Sequence, residues 1–241
     1  MRIITWNCFR GDARVRAADL DDLAPDVVVL QECSRPAAVD ADTFAWSGDN
    51  PRHGMAVLTR APYGVRPPRV PAAATESVFA VQVEGPLSFT LLNVWAHPRP
   101  SYVDAVWAGL DAHAALLQSG DAVVADDFNS NARWDAGRRR SHTDLVRRLG
   151  EEFGLVSAWH SAADREPGGG PEPDTYHYQW RADRGFHIDY CFVPQSWAPY
   201  TTCRVLDEPA GTRRSDHRPL IIDIASRSLQ AKDLDSCREP S

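Results

Sequence analysis

The 241-residue chain is 43% hydrophobic and 24% charged, the proportions of a globular protein rather than a disordered or fibrous one. Its formal net charge of −7 argues against tight, non-specific nucleic-acid binding through a broad basic surface, but does not exclude an enzyme that visits DNA or RNA briefly. No apolar run approaches the roughly 18 residues that span a bilayer, and the opening Met1–Asn7 carries no apolar leader. A cytoplasmic, monomeric protein is the expectation. The five cysteines, odd in number and without a C-x-x-C pair, suggest neither a disulfide framework nor a zinc site.

Taken in order, Arg2–Asn7 predicts a first strand closing on Trp6-Asn7-Cys8. After the turn at Gly11-Asp12, Val15, Ala18, Leu20 and Leu23 predict a short helix over Val15–Leu23. Pro25-Asp26 breaks it, and Val27–Leu30 is an unbroken apolar run, as strands buried on both faces are. That strand delivers Gln31-Glu32 at its end. A loop or small helix is expected next, followed by a strand over Gly54–Arg60. Pro62–Pro71, rich in proline and arginine, reads as a surface connection.

Val78–Val83 and Ser88–Trp95 predict a hairpin about Glu84-Gly85-Pro86. The spacing of Val103, Val106, Leu110, Ala114 and Leu117 predicts a helix over Ser101–Gln118 with Ser101 as N-cap. Ala122–Ala125 is the central strand, because Asp126, Asp127 and Asn129 arrive where it should end. His142–Phe153 reads as an amphipathic helix with Arg147 and Arg148 outward, and Ala162–Asp174 as a long loop. Thr175–Trp180 and His187–Val193 are expected to pair across Ala182–Gly185. Thr201–Leu206 and Pro219–Ile224 complete the strands, giving one layered domain over residues 1–225 and a polar tail over 226–241.

Polar residues recur at the ends of these apolar strands: Asn7, Glu32, His97, Asp127 with Asn129, Asp189, and Asp216 with His217. Each alone is explained by a cap, an Asx turn or a solvated loop. Asp189 is the exception, since His187–Val193 is too apolar to bury a carboxylate without a partner. If the strand continued, Asp127 and Asn129 would point the same way. Together the set describes one machine. Glu32, Asp216 and Asn7 offer hard oxygen ligands for Mg²⁺. Asp127 orients or deprotonates water, and Asn129 holds it or a phosphate oxygen. His217, braced by Asp189, stabilises developing charge. The chemistry is metal-assisted attack of water on a phosphoester.

The order Trp6-Asn7, Leu30-Gln31-Glu32, Asn93 to His97, Asp127-Phe128-Asn129, His187-Ile188-Asp189-Tyr190 and Ser215-Asp216-His217-Arg218-Pro219 resembles the endonuclease/exonuclease/phosphatase superfamily. The resemblance implies a four-layer α/β sandwich of two packed mixed β-sheets flanked by helices. It also implies a Mg²⁺- or Mn²⁺-dependent hydrolase with its site at one edge. Three departures bear on substrate. Asp126 stands where the family usually has glycine, which leaves it an alternative to Asp127. Glu32-Cys33-Ser34 replaces the Glu-Thr-Lys of exonuclease III-like members. His97 stands where those members have tyrosine, and is similar to the histidine that acts on the leaving group in the pancreatic-type and sphingomyelinase branches. Tyr176, His177 and Phe186 fall where abasic-site enzymes line a pocket; here they either stack on a base or sugar or pack a hairpin. The leading expectation is a nuclease-like phosphodiesterase whose partner is a phosphoester, DNA or RNA among them. The alternatives are a phosphomonoesterase acting on a metabolite or lipid headgroup, and a non-catalytic binding module on the same fold.

Overall fold

A computed structural model describes residues 1–68, 75–206 and 214–225; the expected tail over 226–241 lies outside them. The strands are β1 (Arg2–Asn7), β2 (Val27–Cys33), β3 (Phe44–Asn50), β4 (His53–Thr59), β5 (Gly64–Arg66), β6 (Val78–Glu84), β7 (Phe89–Trp95), β8 (Ala122–Asp127), β9 (Leu155–Ser157), β10 (Tyr176–His177), β11 (Gly185–Phe186), β12 (Asp189–Pro194), β13 (Thr201–Val205) and β14 (Leu220–Ile224). The helices are α1 (Ala13–Ala18), α2 (Tyr102–Ala112), α3 (Ala114–Gln118), α4 (His142–Phe153) and α5 (Ala158–Ala162).

Two six-stranded sheets form, in the orders β13-β14-β1-β2-β4-β3 and β5-β6-β7-β8-β12-β9. Each holds one parallel pair near its middle, β1 with β2 and β7 with β8. Parallel neighbours need a crossover, and α1 and the α2–α3 pair supply it. Alternation along the strands sorts the apolar side chains into three cores. Ile3, Val29, Val57, Leu91, Val123 and Cys191 meet between the sheets. Ile4, Trp6, Val28 and Leu30 turn outward under Ala13, Ala17 and Leu20 around α1. Leu92, Val94 and Val124 turn outward under Val106, Leu110, Leu145 and Leu149 of α2 and α4. The result is the expected four layers, helix–sheet–sheet–helix.

The helices begin where their caps lie. Asp12 accepts from the Arg14 and Val15 amides, so α1 starts before Val15 and ends at Ala18. Ser101 caps α2 through the Asp104 amide, and Ser141 with Asp144 forms a capping box on α4. Four expectations are corrected. The stretch expected as a loop or small helix holds β3, whose Phe44 and Trp46 pack on the α1 side. Gly64–Arg66, inside the expected surface connection, pairs with β6. Only Tyr176-His177 and Gly185-Phe186 form the late hairpin, while β12 pairs with β8 and β9, where its apolar side chains are covered on both faces. Arg148 is not outward: 7% of its side chain is exposed, and it lies over Trp107 and Phe153 with Asp111 and Glu152 as ion partners.

Candidate active site

Strand register alone assembles the first row of the site. In the second sheet Trp95 pairs with Asp127 and Asp127 with Asp189, so the ends of β7 and β8 and the start of β12 lie side by side. In the first sheet Asn7 pairs with Gln31 at the ends of β1 and β2. Asp216 and His217 immediately precede β14, which runs antiparallel to β1, so they reach the same edge. Ser215 Oγ fixes that segment, donating to the Asn7 carbonyl at 2.6 Å while accepting the His217 amide at 3.0 Å.

Below the edge a buried polar layer joins the sheets. Gln31 Nε2 donates to Asn93 Oδ1 at 2.8 Å. Asn93 Nδ2 donates to the carbonyls of Leu30 and Ala56, both at 3.1 Å, where β2 bulges between Leu30 and Cys33. Glu32 sits in that bulge with φ 58°, and the bulge turns its side chain toward Asn7. Gly54 lies opposite, where a Cβ would collide with the Ser47 carbonyl and the Trp46 ring.

Asn7 is the hub. Its Nδ2 donates to Glu32 Oε1 at 3.1 Å and to Asp127 Oδ2 at 2.9 Å, while its Oδ1 accepts the Phe9 amide at 3.2 Å. Asp127, Asp189 and His217 place one polar atom each within 4.8 Å of the others. The bond expected between Asp189 and His217 is present: His217 Nδ1 lies 2.9 and 3.1 Å from the two Asp189 oxygens. Burial alone would lower the His217 pKa, but Asp189, then Asp127 and Asp216, hold it up at about 10. Burial pushes Asp127 up to about 7, against the pull of His217. Asp216, half-buried, is also raised, by burial first and by neighbours that include Glu32.

Asp127 and Asn129 are related by a turn rather than by strand alternation. The strand ends at Asp127, Asn129 takes φ 48°, and its amide donates to Asp127 Oδ1 at 3.0 Å. The side chain of Asn129 instead reaches the Ala96 carbonyl at 3.4 Å, next to His97. Asp126 is buried with neither carboxyl oxygen hydrogen-bonded, and burial beside Asp189 and Asp127 raises its pKa well above the usual range. His97 is half-buried and stands 3.2 Å from Ser77 Oγ through Nδ1; burial lowers its pKa.

The Tyr176 ring lies tilted against His217, with ring centroids 4.6 Å apart. Its cross-strand partner Phe186 turns to Trp134 and lies under Arg133. Both ring nitrogens of His177 are buried without a partner. His53 went unnoticed in the sequence. Its Nε2 lies 3.2 Å from Glu32 Oε2, and it forms a row with Trp95 and His97 at 4.5 and 4.2 Å. That row lines a cavity of about 350 Å³ with Glu76 and Met55. Nothing near His53 in the sequence signals this, because the contact depends on β4 pairing with β2.

No curated protein matches the chain by sequence. Among solved structures it is similar to the 3′-5′ exonuclease NExo of Neisseria meningitidis, with 22% identity, TM-score 0.66, and 93% of this chain and 99% of that one covered. It is also similar to the catalytic domain of Xenopus laevis APE2, with 15% identity, TM-score 0.64, and 93% and 91% covered. The AP endonuclease LMAP of Leishmania major is a third, with 16% identity, TM-score 0.64, and 92% and 86% covered. These likenesses establish the shared sandwich. The profile of the Endonuclease/Exonuclease/phosphatase family matches residues 4–217, and the chain belongs to that family of phosphoester hydrolases.

Proposed function

We propose that this protein is a nuclease-like phosphodiesterase that uses Mg²⁺ or Mn²⁺ and hydrolyses its substrate by in-line attack of water. The observation that carries the reading is the convergence at one sheet edge of Asn7 bonded to Glu32 and Asp127 with Asp189 bonded to His217. The donor set suits a hard cation: Glu32 and Asp216 would hold it through carboxylate oxygens, the charge of Glu32 being felt at Asp216, and the Asn7 amide orients Glu32. When bound, such a cation neutralises charge on the phosphate and its leaving oxygen.

The chain's own groups divide the remaining work. Asp127, poised near neutrality, takes the proton of the attacking water, with Asn129 beside it. Asp126 makes no comparable hydrogen bond, and burial beside Asp189 and Asp127 raises its pKa, so the role of base falls to Asp127. His217, kept cationic by Asp189, donates to the phosphoryl oxygen through its other ring nitrogen, where charge accumulates. His97 serves the leaving oxygen. A nucleic-acid substrate is supported by the rim. Exposed Phe9 meets Trp180 edge-on at 5.5 Å with Arg10 alongside, and Arg133 covers Phe186. Aromatic and arginine faces of this kind stack on bases sequence-tolerantly. Among the described residues, Cys8, Cys33, Cys191 and Cys203 are free and largely buried, which fits a cytoplasmic setting.

A second reading, a phosphomonoesterase, is favoured by the acidic net charge. A Neisseria NExo structure of the same fold, described as a 3′ phosphatase bound to product DNA hairpin, is 21% identical with TM-score 0.63. A pure binding module is disfavoured, since it needs neither Glu32 nor the Asp189–His217 pair. The purified protein with Mg²⁺ or Mn²⁺ is to be tested on plasmid DNA, an abasic duplex, RNA, a 3′-phosphorylated duplex and a panel of phosphomonoesters. Strand scission supports the first reading, and release of inorganic phosphate alone supports the second. Inactivity on all of them refutes both.

A further inference from the structure

A second convergence of polar groups takes no part in the chemistry above. His160 on α5, Glu172 in the loop that follows and His187 just before β12 each bring one ligand atom within 4.8 Å of the other two. His160 Nε2 is 2.8 Å from Glu172 Oε1, and its Nδ1 is 2.8 Å from Ser157 Oγ. Asn131 Nδ2 donates to Glu172 Oε2 at 2.6 Å. His187 Nδ1 donates to the Pro173 carbonyl at 2.8 Å, which fixes the tautomer and leaves the lone pair on Nε2. That nitrogen is buried with no partner, in a residue only 3% exposed. An orphaned acceptor of this kind is costly.

We propose that His160, Glu172 and His187 form a metal site, distinct from the crevice, for a transition cation of the zinc type. Two imidazoles and one carboxylate are a zinc donor set with one position left for water, and they are too nitrogen-rich for Mg²⁺. The surrounding bonds are those that orient metal ligands: a backbone carbonyl on one histidine, a hydroxyl on the other, an amide on the carboxylate. On binding, the His160 ring proton moves from Nε2 to Nδ1, where Ser157 Oγ accepts it, so no co-reactant is needed. Burial lowers the His187 pKa. For Glu172 burial acts upward, but the bonds from His160 and Asn131 outweigh it and hold the carboxyl at about 2. A cavity of about 330 Å³ lined by Asn131, Arg133, Glu172 and His187 adjoins the cluster. A bound ion would tie the glycine- and proline-rich loop 163–174 to the base of β12, two residues before Asp189.

The full chain, stripped by chelator and then refilled with Zn²⁺ or Co²⁺ in excess Mg²⁺, tests this. A single equivalent of zinc should survive gel filtration in the wild type and in Glu32→Gln, and be lost in His160→Gln and Glu172→Gln. Asn131→Ala should weaken zinc affinity about 10–100-fold. Co²⁺ should give visible d–d bands that zinc abolishes. The wild type also answers independently of variant folding, because zinc should shift the ring resonances of His160 and His187 and not those of His97. No retained zinc, retention in a folded Glu172→Gln, loss in Glu32→Gln, or unmoved His160 and His187 resonances would each overturn the site.

Discussion

Asp189→Asn isolates the buried pair at the centre of the site. In the wild type the Asp189 carboxylate, 1% exposed, faces His217 Nδ1 with both oxygens. Burial favours the neutral ring, and the carboxylate overrides it to give a pKa near 10 against an ordinary 6.5. At about 1.4 kcal/mol per unit, that difference is worth roughly 5 kcal/mol in favour of the imidazolium. It falls at the upper end of the roughly 3–5 kcal/mol typically lost when one member of a buried pair is removed. Because the folded-state value is raised, the stabilisation is complete below pH 6.5 and disappears as the pH climbs toward 10. In Asp189→Asn the burial effect remains while the largest opposing charge is gone, so the ring should titrate near or below 6.5.

NMR of the His217 ring in metal-free protein from pH 5 to 9 reads this directly. The wild-type resonance should stay in its protonated position throughout, and the variant should titrate. Turnover in the variant should fall about 10²–10³-fold, the usual loss of a charge-stabilising donor. A wild-type His217 that titrates between pH 6 and 7, or a variant indistinguishable from it, would refute the reasoning.

Other consequences follow from neighbouring contacts. His97→Ala should slow hydrolysis of a substrate with a poor leaving group about 10²–10⁴-fold and barely affect an activated aryl phosphate; equal losses would reduce His97 to phosphate binding. Glu172, held at about 2 against an ordinary 4.5, should contribute about 3 kcal/mol that is present above pH 4.5 and lost on acidification toward pH 2. Glu172→Gln should therefore flatten that acid limb in urea melts, and an unchanged limb would contradict the assignment. Arg148→Ala should cost about 1–3 kcal/mol by urea unfolding through lost packing over Trp107 and Phe153. A change within about 0.5 kcal/mol would mean the side chain behaves as an ordinary surface arginine.

The sequence exposed those parts of the site that local patterns control. Val27–Leu30 and Ala122–Ala125 are short, β-branched apolar runs after turn signals and read as buried strands, which put the polar residues at their ends at a sheet edge. Asp189 on a similarly apolar strand demanded a partner, and His217 supplies it. Features set by long-range pairing stayed hidden. His53 meets Glu32 only because β4 pairs with β2, and Gln31 meets Asn93 only because the two sheets stack. Arg148 looked outward because charge patterning cannot report the Trp107 ring of α2 beside it. The cross-pairing of His187–Val193 with β8 is a choice among strands that sequence proximity misjudged, and the four-layer arrangement came from resemblance to a family rather than from periodicity. His160, Glu172 and His187 are scattered over a helix, a loop and a strand base, with no spacing that announces a cluster.

In the proposed mechanism Glu32 holds a catalytic cation at the edge where Asn7, Asp127 and His217 meet. The most direct test of that role is the hydrolysis rate as Mg²⁺ is raised from chelator-treated to millimolar levels, in the wild type and in Glu32→Gln, with a fluorescently labelled nucleic-acid substrate. Activity should be absent in chelator and saturate with Mg²⁺ in the wild type. It should be lower by at least about 100-fold in the variant at every concentration, consistent with several kcal/mol of charge stabilisation by the metal. Full activity in chelator, or a Glu32→Gln curve that superimposes on the wild type, would contradict it.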